Sequence, residues 1–423
     1  MTASVGADRD SGLDGLAGLD GLVGLIDETV EPGRPEAPGH LGPAGEWLAS
    51  IGLSEADRSP GAPGEPGAQT SPGSLDRLLA RALAGAADLA AALPEPGGGH
   101  TVQLWDALAR IAAADLTVAR AIEPHLDAVH IMSQARAAGL PAPAETGGCW
   151  GVFAAEGPAV RVDARPADRT TPDAKDAKAA GDNGGRQDPQ GWTLSGRKPW
   201  CSLGGRLDRA LVTAWVSDRD RGLFAVDLAG PGVRSVDAAW VARGLSAVDS
   251  GPLDFDHAPA EPVGPPGWYL QRPGFAWGGI GVAAIWYGGA LGVARRLLPK
   301  PGGREPDQIA QAHLGACDAV LHAARCALQC AAAQVDAGEA TGDAGAMLAL
   351  RVRTVVAQAA EEVLRRADHG LGPGPLATDE AHARRVADLH LYLRQWHAER
   401  DHAALGRAVA QAALGRAVAR AAR

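Results

Sequence analysis

Apolar positions in this chain change their spacing twice, and the changes mark its organisation. Leu75, Leu78, Leu79, Leu83, Ala86, Leu89 and Leu93 recur at helical intervals. That spacing predicts a helix opening at Ser74 as N-cap and broken by PEPGGG at 94–99. A second helical stretch is predicted from Thr101 to Ala138, with Glu123-Pro124 as a break or kink, before PAPAETGG ends it. From Trp150 to about Pro262 the pattern becomes short and often alternating. WGVFAAE, AVRVDA, GWTLSGRKPWC, RALVTAWV, GLFAVDL, GVRSV and GPLDFDHAPA predict a β region of about seven strands. The polar tract 166–190 reads as a long surface loop between two of them. After Gly264-Pro265-Pro266-Gly267 the helical period returns, with helices expected over 275–294, 307–337, 344–368 and from Thr378 towards the end.

The order α, then β, then α predicts an α+β fold with segregated blocks: an N-terminal α-helical domain at 75–148, a central β domain at 149–263 and a C-terminal four-helix bundle within 264–423. Residues 1–74 stand apart. They are rich in Gly, Pro, Asp and Glu, carry twelve acidic against three basic side chains, and are expected to be mostly flexible, with only Gly45 to Leu53 able to dock through Trp47, Leu48, Ile51 and Leu53. The tail ALGRAVAQAALGRAVAR repeats a nine-residue unit and reads as a low-complexity helical extension.

Phe275–Ala294 has no charge over 20 residues, long enough to span a bilayer. Six of those residues are glycine and no other segment resembles it, so a helix buried on all sides is expected instead. The net charge of −10 sits almost wholly in 1–74, which argues against nucleic acid as a main partner. Five cysteines without a CxxC indicate neither a disulfide framework nor a metal site. No basic-then-apolar leader opens the chain, so a reducing cytoplasm is expected.

Several motifs then fall in a telling order: WGVFAAEG at 150–157, GWTLSGRKPWCS at 191–202, LFAVDL, PGV, and LDFDHAPAEPVG at 253–264. Over about 75–402 the chain resembles the acyl-CoA dehydrogenase family, in which a Thr-Glu-Pro segment, a Gly-aromatic-x-x-x-Gly-x-Lys-x-Trp-Ile-Thr/Ser strand-turn and a Phe-Asp-x-x-Pro strand end occur in that sequence. The resemblance implies bound FAD and a homodimer or homotetramer. Trp200 would pack against the isoalloxazine ring and Ser202 would hydrogen-bond near its N5, while Cys201 takes the usual Ile place and serves through its backbone. Ala154 and Ala155 match the other flavin-facing positions, although Ala155 lacks the family's Thr hydroxyl. The chemistry suits these residue types, because an indole offers its face to a flat heterocycle and a hydroxyl both donates and accepts. Read without the family pattern, Trp200 is a core Trp of a β domain.

The activity implied is oxidation of a CH–CH bond in an acyl-CoA or similar small molecule, with an electron-transfer flavoprotein as a possible acceptor. That reaction needs a carboxylate base in an apolar site. The family's Tyr-Glu-Gly-Thr is absent, the alternative position falls near Val282 on a helix without Glu, and the Gly-Ser-Asp after Thr-Glu-Pro is missing. Glu399 is the nearest carboxylate. Its spacing puts it on one helix face with Asp388, Tyr392, Gln395 and His402, and the competing reading is a solvated stripe. His390, His397 and His402, with the missing Glu, also resemble the flavin-dependent monooxygenase branch of the fold. A third reading is a catalytically silent flavin-binding subunit. By resemblance, 115–133 lines the substrate cavity, with Glu123, His125 and His130 nearby.

Overall fold

The computed structural model describes residues 42–53, 72–144, 146–167, 191–299, 303 and 305–421. The expectations for most of 1–74 and for the loop 168–190 lie outside the described residues.

Helices come first: α1 (Gly42–Ser50), α2 (Pro72–Ala84), α3 (Ala86–Ala92), α4 (Thr101–Ala114) and α5 (Leu116–Ala137). The expected docking piece is α1, where Trp47, Leu48 and Ile51 are buried and the Trp47 indole donates to the Gly85 carbonyl at 2.8 Å. The expected interruption at Pro124 falls elsewhere, at Asp115. Its backbone is extended (φ −151°, ψ 115°), its N–H closes α4 on Ile111, and its carboxylate caps α5 by accepting from Val118 N. Pro124 stays inside α5. A capping carboxylate that satisfies orphan amides thus ends one helix and starts the next, where the sequence offers a proline as the more obvious breaker.

The β region holds β1 (Trp150–Phe153), β2 (Val162–Pro166), β3 (Trp192–Lys198), β4 (Arg209–Trp215), β5 (Arg221–Asp227), β6 (Val233–Ser235) and β7 (Leu253–Pro262). Antiparallel pairs run β2–β3, β3–β7, β7–β5 and β5–β4, and β4 returns to β2 in parallel at Trp215↔Asp163, so the pairings close a ring. Parallel β1 joins β4, and β6 joins β7. Closure leaves only the short strands β1 and β6 paired on one side. It draws β3 tightly over the chain before β2: a Cβ on Gly196, whose φ is +124°, would lie 2.1 Å from the Arg161 carbonyl oxygen, and the register shifts between Leu194 and Gly196.

Helices then return as α6 (Trp268–Gln271), α7 (Pro273–Ala294), α8 (Gln308–Asp336), α9 (Gly342–Leu371), α10 (Pro373–Thr378), α11 (Glu380–Tyr392) and α12 (Glu399–Ala421). Pro273–Leu297 is long and apolar enough to cross a membrane by composition, with mean hydropathy 1.3, but 72% of its apolar 18-residue stretch is buried inside the protein. Helix α7 packs against α4, α8 and α9, and a single buried cluster joins these helices to the inner faces of the strands. The glycines explain the close approach. A Cβ on Gly288 would meet the Ala109 carbonyl oxygen at 2.1 Å, and one on Gly292 the Ala113 carbonyl oxygen at 3.0 Å. Gly288→Ala is therefore expected to cost about 1–3 kcal/mol as overpacking, read as a lower urea midpoint, although alanine is the better helix former.

Candidate functional site

Three segments meet where β3 ends. Lys198, only 2% exposed, donates from Nζ to Glu156 Oε1 at 2.8 Å, to Thr213 Oγ1 at 2.8 Å and to the Thr213 carbonyl at 2.9 Å. Burial pushes the Lys198 ammonium below its usual pKa, against the pull of Glu156. Burial works against the Glu156 carboxylate too, but Lys198 and Arg221 hold it below the ordinary carboxylate range. The opposite outcomes have one cause: the lysine is sealed in, whereas the Glu156 side chain keeps 34% exposure to water. This clamp fixes the segment after β1 beside the turn after β3, where the ideal Cβ position on Gly157 lies 3.0 Å from Pro199. Ala154 is half-buried and Ala155 exposed on that segment, and Thr213 Oγ1 lies 3.5 Å from the Ala154 carbonyl. The sequence did carry a signal for the clamp, since Lys198 is one of four lysines in an arginine-rich chain and sits inside the strand-turn motif.

Trp200 stands out. Its indole is 60% exposed and its backbone is left-handed, at φ 59°. A bulky residue pays for that conformation, and such strain clusters at functional sites. Cys201 is buried. Its N–H donates to the Gly251 carbonyl at 3.0 Å, its thiol donates to the Lys198 carbonyl at 3.3 Å, and burial pushes its pKa up to about 12. It is a structural thiol that holds the turn. The Ser202 hydroxyl accepts from Arg120 Nη2 at 2.9 Å and lies 2.8 Å from Ser250 Oγ. Ser250 Oγ also lies 3.2 Å from the Val248 carbonyl, and either serine can be the donor between the two, so Ser202 keeps either a lone pair or its proton for a further partner among the described residues.

Arg120 leads from this turn into the helices. Its Nη1 lies 3.5 Å from Glu123 Oε2, and its guanidinium covers the Tyr392 ring at 5.6 Å. Glu123 lines a cavity of about 40 Å³ between α4, α5 and α7, with Leu104, Trp105, Asp127, His130 and Val282. Burial pushes the Glu123 carboxyl up to about 7; Asp127 adds to the rise, and Arg120 and Arg353 oppose it. Val282, on the helix that lacks a carboxylate, faces the same cavity, so α5 supplies from the opposite wall what α7 does not. His130 belongs to this cavity, and burial depresses its pKa. His125 does not. Its Nδ1 accepts from Trp150 N at 3.2 Å, and burial lowers its pKa to about 4, so it joins α5 to β1 as a neutral ring.

Behind Arg120 sits a buried polar knot. Asp388 accepts from Thr117 Oγ1 at 2.7 Å and from Leu245 N at 2.5 Å. Arg384 pairs with Asp115 at 2.6 Å and stands 3.7 Å from Asp388. Burial pushes both carboxyls up. The closer Arg384 overcomes this at Asp115, whose pKa falls, whereas Asp388 stays raised.

Glu399 lies elsewhere. The expected continuous face is broken after Tyr392 by a 3-10 turn at Leu393–Gln395 and by Ala398 at φ 45°. Asp388 and Tyr392 are buried, while Glu399 is exposed at the first position of α12, outside the cavity lining. His390 and His397 are also exposed, and His402 stacks edge-on against Trp396 at 5.4 Å between ring centroids. No group of three or more metal-ligating side chains occurs among the described residues.

The mixed helix and strand architecture is that of acyl-CoA dehydrogenase-fold proteins. Among solved structures, butyryl-CoA dehydrogenase from Megasphaera elsdenii superposes with a TM-score of 0.64 at 16% identity, covering 87% of this chain and 96% of that one. KijD3 in complex with dTDP gives 0.62 at 18% identity, covering 88% and 96%. TdsC from Paenibacillus sp. A11-2, in complex with FMN and indole, gives 0.60 at 17% identity, covering 86% and 95%. Sequence comparison finds no matching family profile and no matching curated protein.

Proposed function

We propose that this protein is a flavin-dependent oxidoreductase acting on a small molecule whose reacting end enters the cavity beside Glu123. One observation carries the reading: an outward-facing indole at Trp200 stands two residues from the Ser202 hydroxyl, which has hydrogen-bonding capacity to spare and which Arg120 links to a cavity holding the Glu123 carboxyl group. The residues suit a flavin. Trp200 would hold a flat ring by its face, and Ser202 would meet the ring's polar edge, accepting from an N–H there or, after rotation towards it, donating. Ala154 and Ala155 would flank the ring through backbone alone. When bound, a flavin supplies a two-electron acceptor.

The first reading of the reaction is dehydrogenation of a CH–CH bond next to an acidifying group, as in an acyl thioester. It requires a carboxylate held in an apolar site, and Glu123 is so held, whereas Glu399 faces solvent. The second reading is oxygen insertion. It is favoured by the resemblance to TdsC, described as a dibenzothiophene monooxygenase, and to KijD3, solved with FMN and an amino-keto sugar nucleotide.

The test is a visible spectrum of the purified chain titrated with FAD and with FMN, followed by anaerobic addition of an acyl-CoA panel. A bound flavin band that bleaches with one acyl-CoA supports dehydrogenation. A band that stays oxidised with every acyl-CoA, yet reoxidises rapidly in oxygen after chemical reduction, supports the second reading. A chain that takes up neither flavin overturns both. Trp200→Ala is expected to weaken flavin binding about tenfold, the worth of one aromatic stacking contact, with Trp200→Phe keeping most of the affinity in the same titration.

A further inference from the structure

We propose that Arg120 couples the two halves of this site: its guanidinium links the charge of Glu123 to the Ser202 hydroxyl, so that the reduction potential of a flavin seated against Trp200 follows the charge on Glu123. The inference rests on the flavin reading above and deepens it.

The geometry is direct. One guanidinium nitrogen donates to Ser202 at 2.9 Å while the other lies 3.5 Å from Glu123. The guanidinium is capped by the Tyr392 ring and Arg120 is largely buried, with 13% side-chain exposure, so water screens these charges weakly. A planar fork spans two partners at once, which a point charge on a flexible stem does less well. A positive charge beside a flavin favours its reduced, electron-rich state. With Glu123 neutral, the Arg120 charge acts uncompensated and the potential is higher. With Glu123 ionised, the pair is closer to neutral and the potential is lower.

Other charged or titratable groups face Glu123 from every side. Asp127 lies on α5, Arg353 on α9, Tyr392 on α11 and Tyr269 on α6. His130 and Arg272 line the same cavity. Arg353 acts on Glu123 by charge and donates to the Gly279 carbonyl at 2.8 Å and the Gln395 carbonyl at 2.9 Å. Arg272 lies 3.5 Å from Asp127 and donates to Gln134 at 2.8 Å. Arg120 is the cation that touches both Glu123 and the turn. It is a positioning residue, acting through Ser202 rather than on the substrate.

The experiment is a reductive titration of the flavin-loaded protein with a reference dye at pH 5.5 and pH 8.5. It needs no substrate. Arg120→Met is expected to lower the potential, by about 30 mV for each tenfold change in the ratio of oxidised to reduced flavin affinity, and Arg120→Lys is expected to restore much of it. Glu123→Gln is expected to match wild type at pH 5.5 and to exceed it at pH 8.5, because only the wild type then carries the compensating negative charge. Equal potentials for wild type and Arg120→Met at both pH values overturn the proposal. So does a Glu123→Gln potential offset from wild type by the same amount at both, a comparison that still decides the matter if Arg120→Met fails to fold. A wild-type chain that binds neither FAD nor FMN overturns the flavin reading itself and the coupling with it, and the two failures are told apart by the absorption band.

Discussion

Asp388→Ala is expected to lose about 3–5 kcal/mol of folding stability, the usual consequence of opening a buried polar network. Asp388 holds three parts of the chain at once: Thr117 at the start of α5, the Leu245 amide in the segment between β6 and β7, and Arg384 one turn away on α11. Alanine would leave the Leu245 N–H without its acceptor and take from Thr117 the oxygen its hydroxyl donates to, in a space that nothing refills. Arg384 would still have Asp115 at 2.6 Å, so the loss comes mainly from the two orphaned donors. Asn keeps an acceptor for Leu245 and is expected to cost about 1 kcal/mol, the worth of a single hydrogen bond. Urea unfolding decides between them: a large drop in midpoint for Ala with a small one for Asn supports the assignment, and equal small drops would remove Asp388 from the framework.

The second large effect is a pH dependence. Glu123 has an ordinary carboxyl pKa of 4.5 when unfolded and about 7 in the folded chain, raised by burial. Between those values the folded state binds more protons than the unfolded one, so stability declines as pH rises through that window and is level above it. The full difference is on the order of 3 kcal/mol at most. Gln mimics the neutral carboxyl and can still accept from Arg120. Glu123→Gln is therefore expected to unfold like wild type near pH 4.5 and to be more stable near pH 8. Denaturant midpoints measured across that range check this, and parallel curves for the two proteins would place the Glu123 carboxyl in water.

Much of the framework was legible in the chain. The two changes of hydrophobic period place the helical and strand blocks, and the glycine-rich uncharged run reads as a buried helix because glycines on every side suit close backbone neighbours, as Gly288 finds against Ala109. The breaks were harder to see. Pro124 looks like a stop and is not one, and the break lies at the buried Asp115 cap, nine residues earlier. The break between α11 and α12 also escaped, because a 3-10 turn at Leu393–Gln395 and a left-handed Ala398 make it, and none of these residue types announces such a backbone. For the site, the Trp200–Ser202 turn stood out through its motif. The Arg120–Glu123 link did not, because an Arg and a Glu three residues apart on a helix read as a surface pair. Their meaning comes from the cavity and the Ser202 hydroxyl, which belong to distant parts of the chain.

The cavity walls carry one more consequence. On the α7 side they include Gly278 and Gly281, positions with no side chain to trim, and the largest side chains of the lining are two indoles, Trp105 and Trp277. Trp277 is pinned through its N–H to the Ala340 carbonyl at 2.8 Å and covers Gly97. Trp105 makes no such hydrogen bond among the described residues, which makes it the natural first place to look when altering what the cavity admits.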